Sequence, residues 1–324
     1  MTDSNSPSNT SPANVLHPRL PMLLGGLLLL AFPLTASAQT ATTPPSAPAA
    51  VRPPAQPAGK PAETVSATPA APEAWKLVRT IALPQPGPAS LDRRGNLYVA
   101  DAKNNLRQFA PDGQPLAVYS PPLPGHTAQV EAWNTTKVLV FYDDRQELLF
   151  LDRFLAPISS TRLAEYTDGQ IRAATLAPDE NLWLLNESDL RLSQFSTQQQ
   201  RFSINTPLDL LLGRQKPDFR FLREYQNNLY LVDHNSDVWV FDNLGNFRKR
   251  LPFQGLTTIG FRGDELYFLK DGQLHFFHLY QLKERTQPLP TPAGTAVSQV
   301  LVGEQYAYCF LPEGVAVYQL PLAK

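Results

Sequence analysis

Few side chains in this sequence are placed for nucleophilic or metal chemistry. The single cysteine, Cys309, lies inside an apolar run, and no G-x-S-x-G turn, P-loop or dinucleotide glycine motif occurs. His275 and His278 stand three residues apart among Phe and Leu, so on a strand they point to opposite faces and cannot share one metal ion. Motifs alone therefore predict no catalytic residue, no metal site and no resident cofactor.

Acidic residues recur in the polar turns that follow short apolar runs: Asp101, Asp143, Asp144, Glu187, Asp189, Asp233, Asp237, Asp271 and Glu313. If the turns share one face of the fold, these acids form a ring that attracts a cation or a basic partner. The alternative is structural, because Asp side chains also bond the local backbone in hairpin turns. We take Asp101, Asp143 and Asp233 as candidate binding residues.

The elements that position these acids are strands of one repeated kind. Six runs rich in aromatic and β-branched residues start 42, 43, 47, 37 and 41 residues apart, and a second apolar run follows each after a short turn: NLYVAD, VLVFYD, NLWLLN, NLYLVD, ELYFLK and YAYCFL. No long helical periodicity interrupts them. Four short strands per repeat of about 40–45 residues are typical of a β-propeller, so six repeats predict an all-β, six-bladed propeller.

The ends of the repeat array predict how the ring closes. Residues 75–83 read as a lone strand, and the last repeat stops after its third strand. Because an open ring would expose unpaired edges, we expect the N-terminal strand to complete the last blade from outside.

In a propeller, the innermost strands line a central channel, and the turns between second and third strands form the face that usually binds ligands. Strand alternation places polar side chains in the channel, and we take four of them as candidate binding residues: Glu131, Arg172, Asp218 and Arg220. Gln299 is also expected there. The alternative is that these groups only pair with one another across a wet channel.

Residues 88–113 resemble an NHL repeat, the unit of a large group of six-bladed propellers, through Asp92, the run GNLYVAD, Asn104-Asn105 and Pro111-Asp112-Gly113. The resemblance implies the fold but no single function, since NHL-like propellers bind proteins or RNA or catalyse metal-dependent reactions. Calcium-dependent lactonases among six-bladed propellers hold the metal with Glu, Asn and Asp on channel strands. Here Glu131 and Asp218 would be the acids, but no Asn completes the set.

Composition excludes some partners. The 28 basic and 29 acidic residues give a net charge of −1, and nucleic-acid binding requires a basic face that displaces counterions. We therefore expect no nucleic-acid partner.

The first 74 residues predict export. Arg19 precedes the apolar run LLGGLLLLAF, and Ala36-Ser37-Ala38 follows Pro33, which is the pattern of a signal peptide covering residues 1–38. Residues 39–74 contain nine prolines and eleven alanines and predict a disordered linker before a propeller of residues 75–324. After cleavage no stable membrane span remains, and the protein is periplasmic or secreted. The alternative is an uncleaved N-terminal anchor.

Two functions remain at this point. The first is an exported, non-catalytic module that binds a protein or an envelope glycan through its loop face. The alternative is a calcium-dependent hydrolase of the lactonase or esterase kind, with Glu131 and Asp218 in the channel.

Overall fold

The computed structural model describes residues 75–321, apart from residues 135, 214, 215 and 293. The predicted signal peptide (1–38) and linker (39–74) lie outside the described residues. Strands β1 to β24 pair into six antiparallel sheets of four strands each, with one 3-10 turn at Leu163–Glu165 and one short helix, α1, at Asp209–Leu212. The predicted six-bladed propeller is confirmed.

Blades 1 to 3 follow the chain, each from its innermost to its outermost strand. Blade 1 is β2 (Ala89–Leu91), β3 (Leu97–Ala100), β4 (Leu106–Phe109) and β5 (Pro115–Tyr119). Blade 2 is β6 (Thr127–Glu131), β7 (Lys137–Tyr142), β8 (Glu147–Asp152) and β9 (Pro157–Arg162). Blade 3 is β10 (Ile171–Leu176), β11 (Leu182–Asn186), β12 (Arg191–Ser196) and β13 (Arg201–Pro207).

Blades 4 to 6 continue in the same order until the last strand. Blade 4 is β14 (Phe219–Tyr225), β15 (Asn228–Asp233), β16 (Val238–Asp242) and β17 (Phe247–Leu251). Blade 5 is β18 (Gly260–Arg262), β19 (Glu265–Lys270), β20 (Gln273–His278) and β21 (Glu284–Pro288). Blade 6 is β22 (Gln299–Val302), β23 (Tyr306–Leu311), β24 (Gly314–Gln319) and β1 (Lys76–Ala82).

Blade 6 closes the ring as predicted. Strand β1 pairs antiparallel with β24, from Lys76 opposite Gln319 to Ala82 opposite Gly314. The N-terminal strand is therefore the outer strand of the last blade, and the first and last repeats are held in one sheet.

The apolar core consists of six clusters, one at each junction between neighbouring blades. The second strands contribute most of the side chains, and Trp183 and Trp239 are fully buried between blades 3 and 4. Because the alternate residues of each second strand pack against both neighbouring blades, these strands are apolar on both sides. This is why they stood out as continuous apolar runs in the sequence. No helix in the described part of the chain has the length and apolarity that a membrane crossing requires.

Candidate functional site

The turns divide the propeller into two faces. The acidic face carries the turns between second and third strands, including Asp101, Asp143 and Asp233. The opposite face, here called the cavity face, carries the turns between first and second strands, including residues 92–96, 263–264 and 303–305. Each innermost strand begins near the acidic face and ends at the cavity face.

On the acidic face, Asp101 and Asp143 have partners within the protein. Asp101 accepts hydrogen bonds from the Lys103 and Asn105 backbone N–H groups and pairs with Arg107 at 2.8 Å. Burial favours a higher pKa for Asp101, but the hydrogen bonds from Asn105 and Arg107 together hold that pKa below its usual value. Asp143 contacts His126 Nδ1 at 2.7 Å. Both carboxylates therefore shape turns.

Three other predicted residues meet near the start of β14. Asp218 pairs with Arg220 at 2.7 Å, and the backbone N–H of Asp218 donates to Asp233 Oδ1. The second oxygen of Asp233 accepts from Ser236 Oγ at 2.6 Å. Arg172 donates to the carbonyl oxygen of Phe219 and lies 3.8 Å from Glu187. The structure thus brings Asp218, Arg220 and Asp233 into one network, and Arg172 contacts the same strand.

Glu131 lies apart from that network, inside the channel wall. Its side chain is 1% exposed, Thr175 Oγ1 donates to its Oε2 at 2.8 Å, and Arg223 Nη1 lies 3.3 Å from its Oε1. Among the described atoms, no donor makes a hydrogen bond of good geometry to that Oε1. Burial raises the pKa of Glu131, and the charge of Arg223 opposes this. Glu131 and Asp218 thus pair with different arginines, Arg223 and Arg220 respectively.

The innermost strands of blades 2, 3 and 4 meet across the channel. Gln129 lies 3.5 Å from both the Leu222 carbonyl oxygen and the Ala174 backbone N, and Thr175 Oγ1 lies 3.4 Å from the Glu224 backbone N. The Glu224 carboxylate is 4% exposed and accepts from Trp183 Nε1 at 2.8 Å. Burial, with the charges of Asp179 and Glu131, raises the pKa of Glu224 to about 7, although the Trp183 hydrogen bond opposes the shift.

The other half of the channel is open. A cavity of about 530 Å³ runs along the innermost strands of blades 5, 6 and 1, from Ile259 and Gln299 to turn residues such as Arg94, Gly263 and Glu304. No residue of the second-to-third turns lines it. This cavity therefore has its mouth on the cavity face, opposite the face that the sequence predicted for binding.

A row of rings crosses this mouth. The guanidinium of Arg93 lies 4.4 Å from the centre of the Trp133 ring, and Trp133 lies 6.1 Å from Tyr225. Tyr225 stacks on Phe261 at 4.3 Å with an angle of 13° between the ring planes. These residues come from blades 1, 2, 4 and 5, and the Tyr225 hydroxyl donates to the Gly263 carbonyl oxygen. Half-buried aromatic faces and a guanidinium thus form part of the cavity wall.

The wall between blades 5 and 6 depends on a glycine. A Cβ atom on Gly260 would clash with the Tyr267 ring, because that ring lies directly against the innermost strand. The Tyr267 hydroxyl accepts from the backbone N–H of Val302 at 2.9 Å and so ties β19 to β22. Gly260 therefore allows Tyr267 to form the cavity wall.

Four arginines and two acids line the cavity: Arg93, Arg94, Arg223, Arg262, Asp92 and Glu304. Asp92 accepts from the backbone N–H groups of Arg94 and Asn96 and from the Asn96 side chain. Arg262 donates to the Glu304 carbonyl oxygen at 3.2 Å. Within the described residues, no carboxylate lies within ion-pair distance of Arg93, Arg94 or Arg262, so their charges are available to a ligand.

Neither a cluster of metal ligands nor a reactive thiol occurs in the described part of the chain. No three His, Cys, Asp or Glu side chains there are grouped so that they could hold a metal ion. Cys309 is fully buried, and burial raises its pKa to about 12, which keeps the thiol protonated.

Sequence reasoning expected Gln299 in the channel, where it lines this cavity, but it missed the arginines and aromatic residues. Arg93, Arg94 and Arg262 lie at or near strand ends, where charged residues are ordinary, and Trp133 and Tyr225 read as strand residues. One usable signal was present: aromatic and arginine residues recur where innermost strands end, at Trp133, Tyr225 and Arg262.

Comparison with known proteins supports the fold alone. No protein-family model and no curated protein matches the chain. A catalytically inactive virginiamycin B lyase from Staphylococcus aureus with quinupristin has a TM-score of 0.54 at 13% identity, covering 76% of this chain and 100% of that chain. YCF48 bound to a D1 peptide also has a TM-score of 0.54, at 10% identity, covering 76% of this chain and 97% of its own. The six described sheets define the class as a six-bladed β-propeller, and these similarities are consistent with the propeller fold.

Proposed function

We propose that this chain is an exported, non-catalytic binding module that engages a partner protein at the mouth of its channel cavity. The observation that carries the proposal is the cavity on the cavity face, lined by arginines and aromatic rings. Its volume lies within the roughly 300–1,000 Å³ typical of ligand pockets. Trp, Tyr and Arg are also the residues that dominate protein interfaces.

The fold is compatible with this role. The structure of YCF48 contains a bound peptide, and that of the virginiamycin B lyase contains quinupristin, so propellers of similar shape accommodate both kinds of ligand. Our proposal retains the predicted export signal and linker, which would present the propeller in the periplasm or outside the cell. It also retains the NHL-like character of residues 88–113.

The test is site-specific photo-crosslinking of the full chain in the envelope of the cells that produce it. A photo-reactive phenylalanine analogue replaces Glu304 at the cavity mouth or, as the matched control, Glu187 on the acidic face; both side chains are exposed. We expect a discrete protein adduct from position 304 and none from position 187. Fractionation of the same cells locates the protein.

Two outcomes would overturn the proposal. An adduct from position 187 alone would move the binding surface to the acidic face. Absence of adducts, together with calcium-dependent ester or lactone hydrolysis that is lost in Glu131→Gln, would establish the hydrolase instead.

A further inference from the structure

The chemistry of the cavity changes from its depth to its mouth. Phe221, Ile259 and Leu301 line the deeper part together with Gln299 and with Arg223, whose charge is already paired with Glu131. The mouth holds exposed or half-buried guanidinium groups on blade 1, at Arg93 and Arg94, and on blade 5, at Arg262. A ligand that fits this gradient has an apolar group inside and negative charge at the mouth.

The aromatic row favours a ring as that apolar group. Trp133, Tyr225 and Phe261 present adjoining ring surfaces at the cavity, and aromatic pairs gain energy beyond burial of area through offset stacking or edge contacts. A flat side chain entering beside them makes such contacts. An aliphatic side chain of similar size buries apolar area there but cannot make stacking or edge contacts.

The arginines favour more than one carboxylate. Arg93 on blade 1 lies over Trp133 at one end of the Trp133–Tyr225–Phe261 row, and Arg262 on blade 5 follows Phe261 in the chain at the other end. A single carboxylate beside Arg93 or Arg94 would leave Arg262 without an acidic partner. Of the acids at the mouth, Asp92 is bound within its own turn and Glu304 is exposed, so neither neutralises these arginines.

Building on the proposed function, we propose that the partner inserts an acidic peptide segment, whose single aromatic side chain enters the cavity while carboxylates on both sides of it pair with the arginines of the mouth. Arg–carboxylate pairs are the stronger, charge-assisted kind of hydrogen bond, and they give the segment a fixed direction across the mouth. Tyr225 and Trp133 contact the ring, and Arg94 and Arg262 select the acidic neighbours.

The test uses three short peptides that separate ring from charge. Acetyl-Asp-Trp-Glu-amide carries both features, acetyl-Asn-Trp-Gln-amide lacks the charges, and acetyl-Asp-Ala-Glu-amide lacks the ring. Calorimetry with the full chain should give the first peptide an affinity at least tenfold above each of the others, a difference of about 1.4 kcal/mol. The advantage over the uncharged peptide should shrink as salt is raised.

A pair of matched variants tests which face supplies the charge. Arg94→Gln with Arg262→Gln should abolish the preference for the acidic peptide over its amide analogue. Arg107→Gln with Arg191→Gln removes the same charge from the acidic face, where these arginines pair with Asp101 and Asp189, and should leave the preference unchanged. Unfolding curves of both variants confirm that each remains folded.

The outcomes separate this proposal from the proposed function. Equal binding of the three peptides, combined with crosslinking at position 304, would refute the acidic aromatic segment and leave the binding module standing. N-acetyl-tryptophan binding as tightly as the acidic peptide would refute the requirement for two carboxylates and indicate a small-molecule site. Peptide selectivity without any crosslink at position 304 would support the site chemistry while refuting the proposed protein partner.

Discussion

The acidic face and the cavity face differ in whether their charged side chains have partners within the protein. On the acidic face, Asp101, Asp143 and Asp218 each contact a basic side chain within their own blade, at 2.7–2.8 Å. On the cavity face, Arg93 lies over the Trp133 ring and Arg262 donates to the Glu304 carbonyl oxygen, and no described carboxylate pairs with these two arginines or with Arg94. These three acids, from the face that is conspicuous in the sequence, are thus paired within the protein, whereas the arginines of the other face are not.

The difference shows that a row of charged residues identifies a binding surface only when the charges lack partners within the protein. Turn acids recur because each repeat needs a turn, and the turn itself consumes their hydrogen-bonding capacity. Arginines beside a concave aromatic wall have no comparable structural task. Three measurements can break or sharpen this contrast.

The largest effect is expected at the bottom of the cavity. Arg223→Met removes the cation beside Glu131, whose side chain is 1% exposed, and a buried carboxylate without its partner costs about 3–5 kcal/mol. Urea unfolding at pH 7 should show a loss of that size.

The matched control lies three residues away on the same strand. Arg220→Met breaks the pair with Asp218 on the acidic face, but Arg220 is 43% exposed, so the loss should be about 1 kcal/mol or less. Equal losses in the two variants would contradict the distinction between a buried charge pair and an exposed one.

A smaller effect concerns pH. The unfolded chain ionises Glu224 near 4.5, whereas the folded protein keeps it protonated up to about 7, so rising pH favours the unfolded state across this interval. The loss of stability should reach at most about 3 kcal/mol. Glu224→Gln retains an acceptor for Trp183 Nε1 and removes the titration, so its unfolding free energy should vary less between pH 4.5 and 7. Parallel pH profiles for the two proteins would refute the assignment.

The smallest effect has the opposite pH dependence and belongs to the acidic face. Asp101→Asn weakens the contacts with Arg107 and the turn N–H groups, so it should cost about 1 kcal/mol at pH 7. Because folding lowers the pKa of Asp101, this advantage of the wild type exists above the ordinary value of 3.8 and disappears as pH falls through the folded-state value. Thermal unfolding at pH 7 and at low pH measures it; a difference that persists in acid would contradict the carboxylate's role.

Most of the fold could be predicted because each repeat contains an apolar strand that is recognisable in the sequence. The apolar runs at residues 228–233, 265–270 and 306–311 coincide with β15, β19 and β23. The role of β1 followed from counting strands. Both features depend on local pattern and ring closure, which a single sequence contains.

The site could be predicted only in part. Glu131 was expected on an innermost strand and lies there, in β6, but its partner Arg223 was not foreseen, because their contact joins blades 2 and 4. The cavity was missed because its existence depends on the innermost strands of blades 2 to 4 meeting across the channel, while the strands of blades 5, 6 and 1 leave open space beside them. Nothing in the local pattern of one strand encodes that spacing.

The pairing of β1 with β24 also brings the start and the end of the described chain close together, so that the polypeptide itself nearly forms a closed ring. Lys76 lies opposite Gln319, so the two ends of the described chain are neighbours at the outer edge of one sheet. A short peptide could join them, and new ends could be opened in an exposed turn of another blade. Such a circular permutant would keep every blade and the cavity. Blade 6 would then consist of one continuous stretch of chain, and the blade with the new ends would be the one built from both termini.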